Sequence, residues 1–417
     1  MINMSLEDRK LMKELIIWSC SDQELERRWD ATVRAMEDKD IDYLVVAQRS
    51  DYLGQYVKWF TDMPTWDEYG ATVIFSREKE IVTIYTWGGF DEEQQPWQPS
   101  NNFPESYCCR GIARRWSRGY FPSINYTAHY DAEIVVHELK DRGKIKVGIV
   151  GTAFMTVQCY EHIKANLTNA EFVDFTDEID SIKAVKSPEE LEMIRAVVKL
   201  QDEVLFGLRD FIKPGMREID IYAEMRHQSH KRGAENGIFL VGSNSYNTAA
   251  PFYNEHFHSN RIIQKGDTVT VLNEANCANG MYGHVSAVYS LGKPSPALVE
   301  NMKISNEARQ FITERLVNGA DCNVILDEYN TFLKGLGMPM ESRLLGHGQG
   351  YCLVERPAML PGRGETIKLA AGMNFSYHPT IATPEAFGIT CANYFIKEEG
   401  PPELVNTFPT GEIQIIG

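Results

Sequence analysis

Two stretches in the second half of the chain share one pattern of turn and helix at a constant spacing. Gly215 and Gly319 each stand just before a predicted helix, and Gly233 and Gly337 each follow one, so both pairs are 104 residues apart (319 − 215 = 104; 337 − 233 = 104). Glycine is typical of such turns and helix ends, because it adopts backbone conformations that other residues avoid. The repeat predicts two copies of a helix and strand unit that face each other across a pseudo-twofold axis, with a cleft between them.

Helix and strand patterns divide the chain into two domains. Ser187 is a helix cap, Pro188 suits the first helical turn and Glu190 can return the capping hydrogen bond, which predicts a helix to about Phe211. Before it, strands and helices alternate, as in a mixed sheet covered by helices. The predicted elements are a capped helix over 21–37, a strand over 43–47, a hairpin of 71–75 with 81–85, a helix over 131–142 and a strand over 146–150. We therefore predict a smaller mixed-sheet domain over residues 1–178 and a second α/β (α+β) domain over 179–417.

The charge of the chain limits its partners. Lysine and arginine number 42 against 58 aspartates and glutamates, which gives a formal net charge of −16. Binding of nucleic acid requires a concentrated basic surface, so we expect no such partner. No stretch approaches the roughly 18 apolar residues of a membrane span, and the start of the chain lacks the pattern of a secretory signal. The eight cysteines show no C-x-x-C spacing, so we expect reduced thiols in a cytoplasmic protein without a membrane partner.

Several short segments of the second half resemble one enzyme family. They are Asn260-Arg261-Ile262-Ile263-Gln264-Lys265-Gly266-Asp267, the strand that ends at Asn273, Gly346-His347-Gly348-Gln349-Gly350, Glu355-Arg356-Pro357, Gly372-Met373-Asn374-Phe375-Ser376-Tyr377-His378-Pro379 and Phe387-Gly388-Ile389. In order and spacing they resemble the C-terminal domain of the creatinase and Xaa-Pro aminopeptidase (M24) family. The resemblance implies the pita-bread fold for this domain and, more weakly, a creatinase-like fold for the first.

The resemblance also implies where a metal site lies. Metal-dependent members of the family hold two divalent ions with two aspartates, a histidine and two glutamates. At the matching positions this sequence has Asn273, His284, His347, His378 and Ala392. The first two assignments require one extra residue in the strand after Asp267. Without it, Leu272 and Gly283 would occupy these positions, and neither has a side chain that binds metal.

None of the five positions holds a carboxylate. Two closely spaced cations need bridging negative charge, because they repel each other in a low dielectric and favour carboxylate oxygen. We therefore expect no dinuclear peptidase site. Three imidazoles can still bind one divalent ion, zinc or iron, and leave a position open for water or substrate. The predicted metal-binding residues are His284, His347, His378 and Asn273; alternatively, the three histidines bind substrate directly.

Histidine and glutamate side chains near the cluster are candidates for proton transfer. The resemblance implies a histidine shortly before the Asn260 segment that hydrogen-bonds substrate, and His256 and His258 both fit, with His256 preferred. An unperturbed imidazole pKa near 6.5 suits such a role. Glu355 matches a glutamate of the family and is the predicted partner carboxylate. Glu274 is a rival that is predicted to contact substrate, since a one-residue shift of its strand would aim it into the cleft.

Cationic and aromatic residues are predicted to bind substrate. The segment from Tyr56 to Thr61 resembles the part of creatinases that reaches a neighbouring subunit's active site, and Lys58 and Trp59 suit a small carboxylate or planar substrate. A buried helix or strand end explains the segment equally well. Arg356, beside Glu355, is a further candidate for substrate binding. On the first interpretation the protein is a homodimer.

Together these observations favour a creatinase-like hydrolase that cleaves a C–N bond in a small non-peptide metabolite. In this hypothesis His256 moves the proton, Glu355 assists it, and the three histidines bind substrate or one metal ion. One alternative is a mononuclear lyase or oxygenase with the three histidines as metal ligands. Another is a peptidase-like protein without catalytic activity that acts as a binding module.

Overall fold

The computed structural model describes residues 18–48, 53, 55–63, 71–85, 92–94, 111–117, 130–246, 248 and 259–417. Contacts within the chain define two compact units, Met1–Lys183 and Ala184–Gly417. The sequence placed the boundary after residue 178, which lies inside the helix Thr176–Ala184. The acidic first turn of that helix, with Asp177 and Glu178, has the composition of a linker. Within the described ranges, no helix is long and apolar enough to cross a membrane.

Among its described residues, the first unit has a seven-stranded mixed sheet. Its elements in chain order are α1 (Asp22–Asp38), β1 (Tyr43–Gln48), α2 (Tyr56–Thr61), β2 (Ala71–Ser76), β3 (Ile81–Tyr85), β4 (Glu92–Gln94), β5 (Ile112–Ser117), α3 (Tyr130–Leu139), β6 (Ile145–Val150), α4 (Val157–Asn166), β7 (Ala170–Asp174) and α5 (Thr176–Ala184). The strand order is β4-β5-β3-β2-β1-β6-β7. The predicted helices, strands and hairpin are confirmed, since α1 begins after the Ser21 cap and β2 pairs antiparallel with β3.

The helices of the second unit reproduce the predicted repeat. They are α6 (Pro188–Phe211), α7 (Glu218–Lys231), α8 (Pro296–Thr313) and α9 (Cys322–Gly335). The repeat helices α7 and α9 begin and end 104 residues apart (322 − 218 = 104; 335 − 231 = 104). The four turn glycines Gly215, Gly233, Gly319 and Gly337 all have positive φ, at 92°, 96°, 84° and 70°. Helix α6 begins with the capping box at Ser187, as predicted.

The strands of the second unit form two larger sheets and one pair. They are β8 (Gly237–Asn244), β9 (Thr268–Ala275), β10 (Val285–Leu291), β11 (Gly346–Gly348), β12 (Glu355–Met359), β13 (Asn374–Tyr377), β14 (Thr380–Thr383), β15 (Ala386–Ile389), β16 (Ala392–Phe395), β17 (Glu403–Leu404) and β18 (Ile413–Ile416). One sheet has the order β18-β10-β9-β8 and the other β12-β11-β13-β16-β17, while β14 pairs with β15.

One face of the five-stranded sheet packs on helices α8 and α9. Ile312 and Tyr329 from these helices share a buried core with Phe375, Tyr377 and Tyr394 from β13 and β16. Successive side chains of a strand point to opposite faces. The residues that alternate with this core are therefore turned to the other face of the sheet.

Candidate metal centre

The register of the first sheet brings Glu274 and His284 together. The antiparallel ladder of β9 and β10 continues on the N-terminal side of Val285, the first residue of β10. Its pairs on either side of the two residues are Asn273 with Val285 and Asn276 with Tyr282. Glu274 and His284 are therefore directly opposed, with their side chains on one face. Glu274 Oε1 lies 3.2 Å from His284 Nε2, and both side chains are buried.

Asn273, which the sequence assigned to the metal site, lies on the other face of β9. The alternation of side chains along a strand turns it away from His284. Its Oδ1 accepts a hydrogen bond from Ala275 N (3.2 Å), and its buried Nδ2 has no hydrogen-bond partner among the described residues. The position is thus corrected by one residue: Glu274, which the sequence offered only as a rival of Glu355, is the β9 residue at the cluster.

The five-stranded sheet supplies the other two histidines. His347 in β11 pairs with Ser376 in β13. His378 follows Ser376 by two residues, so its side chain leaves the backbone on the same face. The backbone N of His378 donates to Leu345 O (2.9 Å), which anchors the residue just after the end of β13.

Gly346 and Gly348 allow β11 to pack closely between its neighbours. A Cβ on Gly346 would lie 2.6 Å from Tyr377 Cβ, and a Cβ on Gly348 would lie 2.6 Å from Arg356 O. In the structure the atoms that approach these two glycines belong to the adjacent strands.

His284, His347 and His378 form a compact cluster. One ring nitrogen of each lies within 4.8 Å of those of the other two. The ring centroids are 5.5 Å apart for His284 and His347, 5.2 Å for His284 and His378, and 6.1 Å for His347 and His378. His284 and His347 are buried, and His378 is partly exposed.

Positive charge in the cluster is concentrated on His284. Burial disfavours its charged imidazole, but the neighbouring Cys391 sulfur and Glu274 carboxylate outweigh burial and raise the pKa of His284 to about 10. Burial also disfavours ionised Glu274, yet the rings of His284 and His347 lower the pKa of this carboxyl below its usual value. Without a metal ion, Glu274 and His284 are therefore an ion pair near neutral pH.

His347 and His378 are neutral by contrast. Burial, together with the charge on His284, lowers the pKa of His347 to about 4 and lowers the pKa of His378 well below its usual value. His347 Nδ1 lies 2.9 Å from Gly348 O. Neutral Nδ1 must therefore carry the proton and donate it to this carbonyl, which leaves the lone pair on Nε2. A neutral imidazole with a fixed tautomer is the form that ligates metal.

Ala392, the fifth family position, does not face the cluster. Tyr377 pairs with Ala392 and Ser376 pairs with Asn393 in the ladder of β13 and β16. Asn393 therefore shares the face of Ser376, whereas the Ala392 methyl group is fully buried in the hydrophobic core. The sequence assignment is corrected here by one residue as well, since spacing in a motif does not fix which face of a strand a residue occupies.

Asn393 holds the backbone of His284 from both sides. Its Oδ1 accepts a hydrogen bond from His284 N (3.2 Å), and its Nδ2 donates to His284 O (3.0 Å). Asn406 Oδ1 in turn accepts from Asn393 N (2.8 Å), and Asn406 Nδ2 donates to Asp202 Oδ1 (2.7 Å). This buried polar chain ties the cluster to helix α6. Sequence reasoning missed it because the residues are far apart in the chain and share no motif.

Glu355 forms a buried ion pair with Lys186. Lys186 Nζ lies 2.6 Å from Glu355 Oε2, and Cys352 N donates to Glu355 Oε1 (3.1 Å). The charge of Glu355 favours protonation of His347, although burial and His284 outweigh it in the pKa of that ring. Glu355 is thus within electrostatic reach of the cluster. Lys186 was not identified from the sequence, where it stands directly before the Ser187 cap and carries no signal of its own.

Arg356 lies on the opposite face of β12 from Glu355. Its Nη2 donates to Glu365 Oε1 (2.7 Å) and to Thr366 Oγ1 (2.8 Å). Neighbouring residues of a strand point in opposite directions, and a substrate contact by Arg356 stays a prediction. In the structure the Arg356 guanidinium is an ion-pair partner of Glu365.

Lys58 and Trp59 are packed inside the first unit. They are 2% and 1% exposed, on helix α2. Arg28 Nη1 donates to Trp59 O (3.1 Å). This is the buried helix that the sequence allowed as an equal alternative, and a substrate contact by Lys58 or Trp59 stays a prediction.

The histidines predicted for proton transfer, His256 and His258, lie outside the described residues. The segment that follows them is anchored through Arg261. Its Nη1 donates to Asp267 Oδ2 (2.7 Å) and to Ser243 Oγ (2.7 Å).

The donor set fits one metal ion and does not fit two. A dinuclear site needs bridging carboxylates, whereas Asn273 faces away and Ala392 lies in the core. Three imidazoles suit a single divalent ion of the zinc and iron class, and His284 must release its proton before it can ligate. Ligand atoms in a tetrahedral zinc site lie about 3.3 Å apart, so nitrogens within 4.8 Å of one another need only a small closure. Both ring nitrogens of His284 are buried and make no hydrogen bond of regular geometry in the described part of the chain, although Glu274 Oε1 lies 3.2 Å from Nε2.

Comparison with known proteins places this site in a family. Residues 192–398 match the profile of metallopeptidase family M24. The chain is 25% identical over 259 residues to the uncharacterized peptidase YqhT of Bacillus subtilis, covering 61% of this chain and 71% of that protein. It is 24% identical over 300 residues to the Xaa-Pro dipeptidase of Pyrococcus furiosus, covering 69% and 84%. These relatives are named as peptidases, which supports assignment of the chain as a hydrolase.

Solved structures share the fold over nearly the whole chain. The Xaa-Pro dipeptidase from Bacillus anthracis superposes with a TM-score of 0.72 at 18% identity, covering 94% of this chain and all of that one. Dipeptidase PepE from Mycobacterium ulcerans gives a TM-score of 0.71 at 18% identity, over 96% of this chain. The match includes the first unit as well as the second. The chain therefore carries a domain of metallopeptidase family M24 and has the pita-bread architecture, preceded by a smaller mixed-sheet domain.

Proposed function

We propose that this protein hydrolyses a C–N bond in a small non-peptide molecule at a single-metal centre formed by His284, His347 and His378. The observation that carries the proposal is the convergence of three imidazoles, with one nitrogen of each within 4.8 Å of the others, in a described group of possible ligands that contains no carboxylate. Hydrolysis is the reaction class that the named relatives support. The change of ligands argues for a substrate different from theirs.

The chemistry divides between the cluster and its neighbours. A divalent ion bound by the three imidazoles would withdraw electrons from the carbon of the scissile bond. It would also make a water molecule easier to deprotonate. His347 presents Nε2, because Nδ1 is committed to Gly348 O. Asn393 fixes the backbone of His284 and so limits the positions that its ring can take. The partly exposed His378 marks the side from which a small molecule can reach the site.

Hydrolysis of a C–N bond also needs proton transfer. Water must lose a proton as its oxygen adds to carbon, and the departing nitrogen must gain one. In this proposal His256 accepts the proton from water and returns it to the nitrogen, with His258 as the alternative. Glu355 is the partner carboxylate, and the buried ammonium group of Lys186 balances its charge. The argument for Glu355 is its electrostatic effect on His347.

A non-peptide substrate follows from the loss of the dinuclear donor set. The proline peptidases that the sequence resembles use two ions bridged by carboxylates, whereas creatinases cleave a small substrate on the same fold without them. The three histidines differ from the ligand sets of both the proline peptidases and the creatinases. Amides, cyclic amidines and guanidino acids are therefore the candidate substrates. These compounds share a C–N bond at a polarised carbon.

A substrate panel tests the proposal. Protein loaded with Zn²⁺ or, without oxygen, with Fe²⁺ is incubated with such compounds and with Gly-Pro and Ala-Pro, and released amine is measured by mass spectrometry. We expect turnover of a non-peptide compound and none of the dipeptides, even with added Mn²⁺ or Co²⁺. Robust Mn²⁺-stimulated cleavage of either dipeptide would contradict the proposal. Elimination or oxidation products instead of hydrolysis would point to the lyase or oxygenase alternative.

We also propose a homodimer, which the family resemblance implies. Lys58 and Trp59 are buried within the chain, and their contact with a neighbouring subunit's substrate stays a prediction. Sedimentation at micromolar concentration should give about twice the chain mass of 47.5 kDa. A species near 47.5 kDa would contradict the dimer.

A further inference from the structure

We propose that Gln349 and Asn374 form a substrate subsite beside the three-histidine cluster, and that this subsite takes an uncharged amide group such as a carboxamide, a lactam or a urea. This assignment rests on the proposed function and narrows its candidate substrates to amides. Three features support it: the sheet face that the two residues share with His347, a buried donor and a buried acceptor without partners, and the balance of charge around them.

Gln349 and Asn374 lie on the same face of the five-stranded sheet as His347. The antiparallel register that pairs His347 with Ser376 continues past β11, since Gln349 N donates to Asn374 O (3.2 Å). Gln349 follows His347 by two residues, so both side chains leave the strand on one side. Asn374 likewise stands two residues before Ser376, and Ser376 Oγ donates to Gln349 Oε1 (2.9 Å). The subsite therefore adjoins the cluster at a distance of about 7 Å along the strand.

Each of the two side chains presents one polar atom that has no hydrogen-bond partner among the described residues. These atoms are Gln349 Nε2, a donor, and Asn374 Oδ1, an acceptor. The residues are 0% and 1% exposed. Their other amide atoms are engaged, because Gln349 Oε1 accepts from Ser376 and Asn374 Nδ2 donates to Gln349 O (3.5 Å). A buried polar atom without a partner is unfavourable, so a ligand that supplies both missing partners gains affinity here.

A donor and an acceptor on opposed residues match an amide group. The carbonyl oxygen of an amide can accept from Gln349 Nε2, and its N–H can donate to Asn374 Oδ1. A carboxylate has only acceptors and a guanidinium has only donors, so each would leave one of the two atoms unpaired. Phe395 pairs with Asn374 on the other side of β13 and is buried. Its ring lies on the same face and gives the subsite an apolar wall.

The charges around the subsite also favour a neutral group. Its own amide side chains are uncharged, and the ionised groups beside it are paired. Lys186 and Glu355, whose atoms lie close to Gly350, neutralise each other, and so do His284 and Glu274 at the cluster. A charged group that enters a buried site without a counter-charge loses its hydration at high cost. Cationic amidines and guanidino groups are therefore disfavoured relative to amides.

Small molecules of nearly equal size test the subsite. Acetamide, acetone, acetate and acetamidinium have the same number of heavy atoms and differ in charge and in hydrogen-bonding groups. Ligand-observed NMR measures their binding to the full-length protein after treatment with a chelator, because a metal ion would itself bind acetate. We expect acetamide to bind with a Kd on the order of 1 mM, and the other three at least ~10-fold more weakly. Equal binding of acetamide and acetate, or tighter binding of acetamidinium, would overturn the assignment.

Two variants of matched shape separate the donor from the acceptor. Gln349→Met removes the donor, while Ser376 Oγ keeps Asn393 Oδ1 (3.0 Å) as its acceptor; acetamide should bind at least ~10-fold more weakly. Asn374→Leu removes the acceptor, so the preference for acetamide over acetone should disappear. Zn²⁺ affinity should stay within about threefold in both variants, because neither residue is a proposed ligand. Gln310→Met, on the exposed surface of α8, is the control and should behave as wild type.

Wild-type affinity for acetamide in a folded Gln349→Met or Asn374→Leu protein would mean that internal water satisfies the two buried atoms, and would refute the subsite. Binding of acetamide requires no turnover, so this result is separable from that of the substrate panel. A protein that binds acetamide as expected and hydrolyses no compound would refute the proposed function and retain the subsite.

Discussion

The two halves of the second unit share a scaffold and differ in what they bring to the cleft. Helices α7 and α9 have the same length and a constant offset, and both are preceded by a glycine with positive φ. The strands after α7 bring an opposed carboxylate and histidine, whereas those after α9 bring two neutral histidines. Backbone conformation is thus repeated where side-chain chemistry is not. The glycine turns and the positions of the helices therefore determine the fold of each half, whereas individual strand residues determine the chemistry of the site.

Ala392→Glu tests the assignment of faces in the second half, and its expected effect is the largest. Judged from the sequence alone, this change would restore a metal ligand and strengthen binding. In the structure it buries an unpaired carboxylate in the core, so the free energy of unfolding should fall by about 3–5 kcal/mol, without a gain in metal affinity. Chemical denaturation measures the loss, with Ala165→Glu on the exposed surface of α4 as control. A stable variant that binds metal more tightly would show that position 392 is a metal-ligand position after all.

His347→Ala tests whether the neutral histidines of the second half are ligands. Loss of one of three imidazoles should weaken metal binding at least ~100-fold, and activity on any substrate found should be lost with it. Metal analysis after dialysis gives the result. His227→Ala, at an exposed histidine on α7, is the control and should behave as wild type. Full metal content and activity in the His347 variant would exclude the cluster from function.

Proton release tests the charged pair of the first half. Because the pKa of His284 is about 10 and that of His347 about 4, only His284 should carry a proton at pH 8. Metal binding there should release about one proton, and affinity should rise about tenfold per pH unit up to about pH 10. Calorimetry in buffers of different ionisation enthalpy counts the protons. Release of none at pH 8 would mean that His284 is neutral or is not a ligand.

The same pKa values set a stability profile. The raised pKa of His284 stabilises the metal-free protein below about pH 6.5, an effect that is lost as pH rises through about 10. The lowered pKa of His347 acts in the other direction, because the unfolded chain binds protons that the folded one does not. Stability from this residue should therefore fall as pH drops from about 6.5 towards 4.

Gly215→Ala and Gly319→Ala test the equivalence of the two halves. Each glycine has a φ near 90°, and a Cβ would meet no atom within 4 Å at either position. Only backbone strain should then count, so each variant should lose about 1 kcal/mol of unfolding free energy, and the two losses should agree. Gly207→Ala in α6, where φ is not positive and space is also open, should instead gain about 0.5–1 kcal/mol. A large difference between the first two variants would show that the halves are not equivalent.

Sequence reasoning predicted the architecture better than the site. The repeat, the capping box at Ser187 and the convergence of the three histidines followed from local signals of glycine, cap and motif. Asn273 and Ala392 were placed one residue off, because counting along a motif cannot detect which face a strand presents. Only the pairing of strands fixes that face.

The polar supports of the site were beyond sequence reasoning for a different reason. Lys186 and Asn393 have no recognisable spacing to the residues that they hold. Their roles arise from contacts between segments distant in the chain, which a single sequence does not reveal. The ion pair of Arg356 with Glu365, on the face of β12 opposite Glu355, is likewise not visible from its place beside Glu355 in the sequence.

The tight packing of β11 bears on how such a cleft can diverge over generations. A side chain at position 347, 376 or 378 can be exchanged by one codon change while the ladder beneath it stays intact. Gly346 and Gly348 have no such freedom, since any added carbon would lie 2.6 Å from an adjacent strand. Descendants of one ancestor can therefore acquire new chemistry at the histidine positions. The two glycines keep the packing of β11 unchanged, so that each such substitution leaves the fold intact.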